Sequence, residues 1–149
     1  MARSSVIRSI PAVIAGFVAA SAVMMAVETV NGRLLYPELA KLAEGLKDRE
    51  AIKEVLAGAP VGAWLVVVLG WVLGSLAGGF LAAWISQKAP DVHSLVLGGL
   101  LTLAGIANNL MLPPPLWFWI LTLVVFLPAT YLGARLAPRT ALAASDASG

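Results

Sequence analysis

The chain has 149 residues, 60% of them hydrophobic and only 12% charged, with a net charge of +2. Soluble domains average about 45–50% apolar and about 25% charged residues, so a water-soluble globule is excluded. Zero cysteines exclude disulfides, thiolate catalysis and cysteine-ligated metals, and no Lys/Arg cluster offers a phosphate backbone a footprint, so no nucleic-acid partner is expected.

No Asp, Glu, Lys or Arg lies between Arg8 and Glu28, between Glu54 and Lys88, or from Val92 to Ala134. Pro113, Pro114 and Pro115 divide the last of these runs in two. A bilayer core of ~30 Å takes about 20 residues of helix, so four spans are expected, at about 10–30, 61–86, 94–112 and 116–136. The fold expected is an all-α membrane protein: one four-helix domain over 1–136, a short amphipathic segment over 37–57 between the first two spans, and a disordered tail over 137–149.

The N-terminus has the form of a signal peptide, with Arg3 and Arg8 ahead of an apolar run and Ala20-Ser21-Ala22 as a small-residue cleavage site. The run continues through Met24, Met25 and Val27, long enough to span, so an uncleaved first helix is expected, with Pro11 at its entry. After Asn31-Gly32 the character changes. Leu39, Leu42 and Leu46, then Ile52, Val55 and Leu56, recur at helical spacing around a break at Gly45–Asp48, with Asp48 placed to cap the second piece. Glu38–Lys41, Glu44–Lys47 and Glu50–Lys53 are i,i+3 pairs worth about 0.2–0.5 kcal/mol each. Two short helices lying on the membrane surface as a lid, or a solvated loop helix, both fit this pattern.

The second span places Gly70, Gly74, Gly78 and Ala82 four residues apart, a stripe that lets another helix backbone approach. Ala12, Gly16 and Ala20 repeat it more loosely in the first span, which makes these two helices candidate partners. A homodimer or another membrane protein could fill the same groove. Pro128 removes a backbone donor inside the fourth span and should bend it locally.

Arg3, Arg8, Lys88, Arg135 and Arg139 fall on one side if the N-terminus is cytoplasmic. On the other side Arg33, Lys41, Lys47, Arg49 and Lys53 are offset by five acids, and the tri-proline turn is uncharged. Both termini are therefore expected in the cytoplasm, with Tyr36, Trp64, Trp117 and Trp119 anchoring the outer surface and Trp84 and Tyr131 the inner one.

Glu28 is the one acid inside a span, with Ser21 and Asn31 on its helical face; Asn108 and Asn109 lie near the outer end of the third span. In this topology the four groups share a depth, and they form the candidate polar or ion site. An ionisable group within a span is a functional hypothesis by default, here a proton or cation site; an interfacial anchor reaching headgroup water or Arg33 is the competing reading. His93 stands alone beside Asp91 at the other face, far from Glu28, so neither a metal site nor an acid–base pair is expected. No cofactor and no enzymatic activity are expected.

Glu28, Tyr36-Pro37, the Gly74–Ala82 run, Asn109-Leu110, Pro113–Pro115 and Trp117-Phe118 together resemble a group of small, uncharacterised bacterial inner-membrane proteins with four helices and an external loop after the first. The resemblance covers about residues 10–136 and implies topology and an inner-membrane location, with no activity attached. Four helices with a glutamate in the first are also similar to small multidrug-resistance exporters. Those chains are shorter, with short loops and a deeper glutamate, which argues against an export role. The expectation is a non-enzymatic accessory or structural protein acting through helix packing, with a small transporter or channel built on Glu28 as the alternative.

Overall fold

A computed structural model describes residues 2–87 and 89–138, with side chains from Ser9 onward. Among the described residues six α-helices follow one another: α1 (Ala2–Val30), α2 (Pro37–Ala43), α3 (Arg49–Ala57), α4 (Val61–Ser86), α5 (Pro90–Met111) and α6 (Leu116–Leu136). There is no strand among the described residues. Four helical stretches, Ser9–Leu35, Val61–Ser86, Pro90–Met111 and Leu116–Leu136, are long and apolar enough to cross a bilayer. Their outward surface is apolar, with Ile14, Val18, Leu103, Leu123 and Leu132 all more than half exposed. A soluble domain does not present such a girdle to water, whereas lipid covers it without cost. The protein is an integral membrane protein built as a helical bundle.

The helix ends differ from those read in the sequence. α1 begins at Ala2, so Pro11 lies inside a helix and not at its entry. At the other end α1 runs on into a π-helical turn, Asn31–Leu35, closed by the amide of Tyr36 donating to the carbonyl of Asn31 at 2.8 Å. α5 starts at Pro90, four residues before Ser94, because a proline in the first turn sacrifices no hydrogen bond. Residues 139–149 of the expected tail, like Lys88, lie outside the described residues.

α4 is the shared helix. It packs against α1 on one side and α6 on the other, and α5 leans on α6 and α4. Val27 meets Gly70, Met24 and Ala20 meet Gly74, and Gly16 meets Gly78, so α1 and α4 run antiparallel along the small-residue stripe. A Cβ on Gly74 would lie 2.7 Å from the carbonyl of Ala20, and one on Gly78 only 2.6 Å from that of Gly16. Contact this close depends on the missing side chains. In lipid it is dispersion between surfaces, not expulsion of water, that holds such helices together.

A second set of small residues joins α4 to α6. Gly79 lies against the carbonyl of Thr130 and Gly133 against that of Leu76, each leaving no room for a Cβ. Nearer the end that carries residues 31–60, the loop end, the contact turns aromatic. Trp71, 4% exposed, packs 4.6 Å from Phe118 and 5.1 Å from Phe126, and Trp64 packs 4.7 Å from Phe118. Gly98 and Gly105 then let α5 close on Leu127, Phe126 and Thr122 of α6.

The 31–60 segment sits at the loop end. α2 rests on the π-helical turn, and α3 rests on α2. Asp48 caps α3 by accepting from the amide of Ala51 at 3.2 Å. Lys41 pairs with Glu38 at 2.9 Å and Lys53 with Glu50 at 3.8 Å, all well exposed. Glu44 and Lys47 fall in the break after Ala43, where Gly45 turns the chain at φ +83, and so lose helical register.

Candidate functional site

The four polar residues singled out in the sequence sit in different surroundings. Asn31, in the π-helical turn, donates its Nδ2 to the carbonyl of Ala63 at 3.0 Å, tying the end of α1 to the first turn of α4. The hydroxyl of Tyr36 covers Gly62 at the same junction, where any side chain would collide with it. Asn109 is 1% exposed and donates to the hydroxyl of Thr122 at 2.7 Å, across the α5–α6 contact. Thr122 in turn donates to the carbonyl of Phe118 at 2.9 Å, so a short chain of bonds runs from α5 into the backbone of α6. Both amides therefore act as joints between helices. The Oδ1 atoms of Asn31 and Asn109 are buried without a partner among the described residues.

Glu28 and Asn108 differ from these. Both side chains are exposed, and neither forms a hydrogen bond or ion pair within the described chain. Asn108 and Asn109 are adjacent, and a step of about 100° around the helix turns one toward α6 and the other away.

Helix register fixes the depth of these groups. Val27 touches Gly70, which sets Glu28 about level with the Gly70–Trp71 turn of α4. Trp71 lies between Phe118 and Phe126, hence level with Thr122, which Asn109 bonds. Glu28, Asn108 and Asn109 thus occupy one layer, within about a helical turn of each other.

At the opposite end His93 is 8% exposed, and its Nδ1 lies 2.8 Å from the carbonyl of Ala89, to which the protonated nitrogen donates. Ser94 donates to the carbonyl of Asp91 at 2.9 Å. These side chains satisfy carbonyls around the left-handed Ala89 at the start of α5. Arg135 stacks over Tyr131, its Cζ 5.0 Å from the ring centre, and donates to the phenol oxygen.

An open depression of about 670 Å³ lies between the π-helical turn and α2, lined by Gly32, Arg33, Pro37, Ala40, Lys41, Ala43 and Glu44. Its charged groups are solvent-facing, and Lys41 is already paired with Glu38.

Sequence reading passed over the residues that close the α4–α6 and α5–α6 contacts. Ala129 and Gly133 on α6 and Ala137 just beyond its end are spaced four apart, all buried, and Ser94 and Gly98 show the same spacing on α5. That periodicity was the available signal. No protein-family profile, curated protein or solved structure matches the chain, so the functional reading rests on its geometry.

Proposed function

We propose that this is a non-enzymatic accessory or structural protein of a bacterial inner membrane, acting through helix packing against a membrane partner. Both termini would face the cytoplasm and the 31–60 segment the outside. The observation that carries this reading is the use made of the buried amides. Asn31 and Asn109 each join two helices, to Ala63 and Thr122, and so are committed to holding the bundle. The helix contacts at Gly16–Gly78 and Gly79–Thr130 are backbone to backbone, which fills the space a conducting path would need. Glu28 and His93 lie toward opposite ends of the bundle, too far apart for acid–base chemistry that needs hydrogen-bond reach. Among the described residues no group of three His, Asp or Glu side chains is placed to hold a metal ion.

The transport alternative makes Glu28 a proton or cation carrier, and ion flux separates the two readings. Purified protein in liposomes with an internal pH indicator, under an imposed potential, is expected to leak protons or sodium no faster than empty liposomes. Glu28→Gln should leave that rate unchanged. A flux well above background that Glu28→Gln abolishes would overturn the packing reading in favour of transport.

A further inference from the structure

Along one face of α5, Leu97, Leu101, Ala104 and Asn108 follow at spacings of four, three and four, and so share a direction. Leu97 and Leu101 are 0% and 3% exposed, whereas Ala104 and Asn108 are exposed. Along α1, Phe17, Ser21, Met24 and Glu28 share a face in the same way. Phe17 and Met24 pack against the core cluster that contains Leu97 and Leu101, and Glu28, a turn further on, is exposed. The two helices meet where Leu97 reaches Gly16. Toward the loop end they no longer cover one another. The faces that are buried on α5 and partly buried on α1 at one end of the pair are exposed at the other, and each carries an unbonded polar group there.

Those groups are complementary. An ionised Glu28 only accepts hydrogen bonds, and the amide of Asn108 offers two donors. They sit in one layer, yet within the chain they are not bonded to each other. A two-fold axis along the membrane normal keeps every residue at its own depth, so groups of equal depth are the ones that meet across it. Leaving a carboxylate and an amide facing hydrocarbon is costly, and satisfying both at once is a strong reason to associate.

We propose that a second copy of this chain docks on the opening between α1 and α5, with Asn108 of each copy donating to Glu28 of the other. Met25, 67% exposed on α1, fills the apolar part of the contact beside Glu28. This names the partner in the packing reading above and rests on that reading.

The native chain lacks cysteine, so disulfide trapping needs no background removal. Differently tagged Glu28→Cys and Asn108→Cys chains, co-expressed and oxidised in native membranes, are expected to form a mixed disulfide dimer. Such a dimer keeps one intact Glu28–Asn108 pair at its other symmetry-related site. A Leu123→Cys control, exposed on α6, should not cross-link. In lipid bilayers, single-molecule photobleaching should count two copies of the wild type. Glu28→Leu or Asn108→Leu should weaken association by about tenfold or more, since each substitution removes both symmetry-related interhelical hydrogen bonds. Glu28→Gln keeps hydrogen-bonding capacity and should retain the dimer.

A wild type that stays monomeric at working density, or a mixed disulfide no stronger than the Leu123 control, overturns the proposal. The flux assay reports separately. A silent monomer would remove the second copy as partner, and a Glu28-dependent flux would remove the packing reading itself.

Discussion

Gly79→Ala is expected to destabilise the bundle by about 3 kcal/mol or more, although it adds a single methyl group. The new Cβ would fall on the backbone carbonyl of Thr130, and a backbone cannot step aside as a flexible side chain can. α4 and α6 would have to separate, surrendering the contacts of Trp71 with Phe118 and Phe126 along the same interface. Gly133→Ala should do the same through Leu76. Gly70→Ala is a milder case, because its Cβ meets the side chain of Val27 at 3.1 Å. Gly99→Ala has open space around it and should fall within about 1 kcal/mol of the wild type, gaining helix propensity if anything. Reversible unfolding in mixed detergent–SDS micelles, followed by tryptophan fluorescence, gives the comparison. Equal stability of Gly79→Ala and Gly99→Ala would contradict the close α4–α6 approach.

Trp71→Ala should cost roughly 2–3 kcal/mol in the same assay. In a soluble core, Trp→Ala costs about 3–5 kcal/mol, part of it the transfer of apolar surface out of water. A membrane removes much of that transfer component, since lipid is as apolar as the interior. What remains is packing: the indole touches two phenyl rings, and a cavity at that place has nothing to fill it. Trp84→Ala, at a residue 52% exposed, should be nearly silent by comparison. A Trp71→Ala variant as stable as Trp84→Ala would place the real core elsewhere.

The four spans were legible because charge is the strongest signal a membrane chain carries. Uninterrupted apolar runs ended by Arg8, Glu54 and Lys88 leave little freedom, and the tri-proline turn marks the last reversal. The Gly70–Ala82 stripe could be read for the same kind of reason, since four glycines and alanines at a fixed spacing in a long apolar helix stand out. Helix rotation was harder. α4 and α6 are apolar on every side, so hydrophobicity does not say that Trp71 and Phe118 turn inward while Leu65 and Leu116 are exposed, and only the spacing of their small residues carries that information. The helix ends moved for local reasons: α1 outran its charge boundary through a π-helical turn at Asn31, and α5 began early at Pro90.

The candidate site was legible as a layer of polar residues and not as a set of partners. Asn108 and Asn109 are chemically identical, and the rotation of α5 alone makes one a buried joint and the other an exposed donor. Helical spacing groups Asn31 with Glu28, but three residues on it is rotated by about 60° toward the Val27 side of α1 that meets α4, where its amide reaches Ala63. Thr122 drew no notice because a threonine within an apolar helix commonly bonds its own backbone, as it also does here to Phe118.

Thiol accessibility across the membrane tests the four-span architecture most directly. Lys47 lies in the segment between α1 and α4, and Gln87 in the link between α4 and α5, so one membrane crossing separates them. In intact cells an impermeant maleimide is expected to label Lys47→Cys readily. Gln87→Cys should react only after the membrane is permeabilised. The reverse pattern would keep the four spans and invert the orientation. Labelling of both positions from the same side would mean that α4 does not cross the membrane, and would contradict the account.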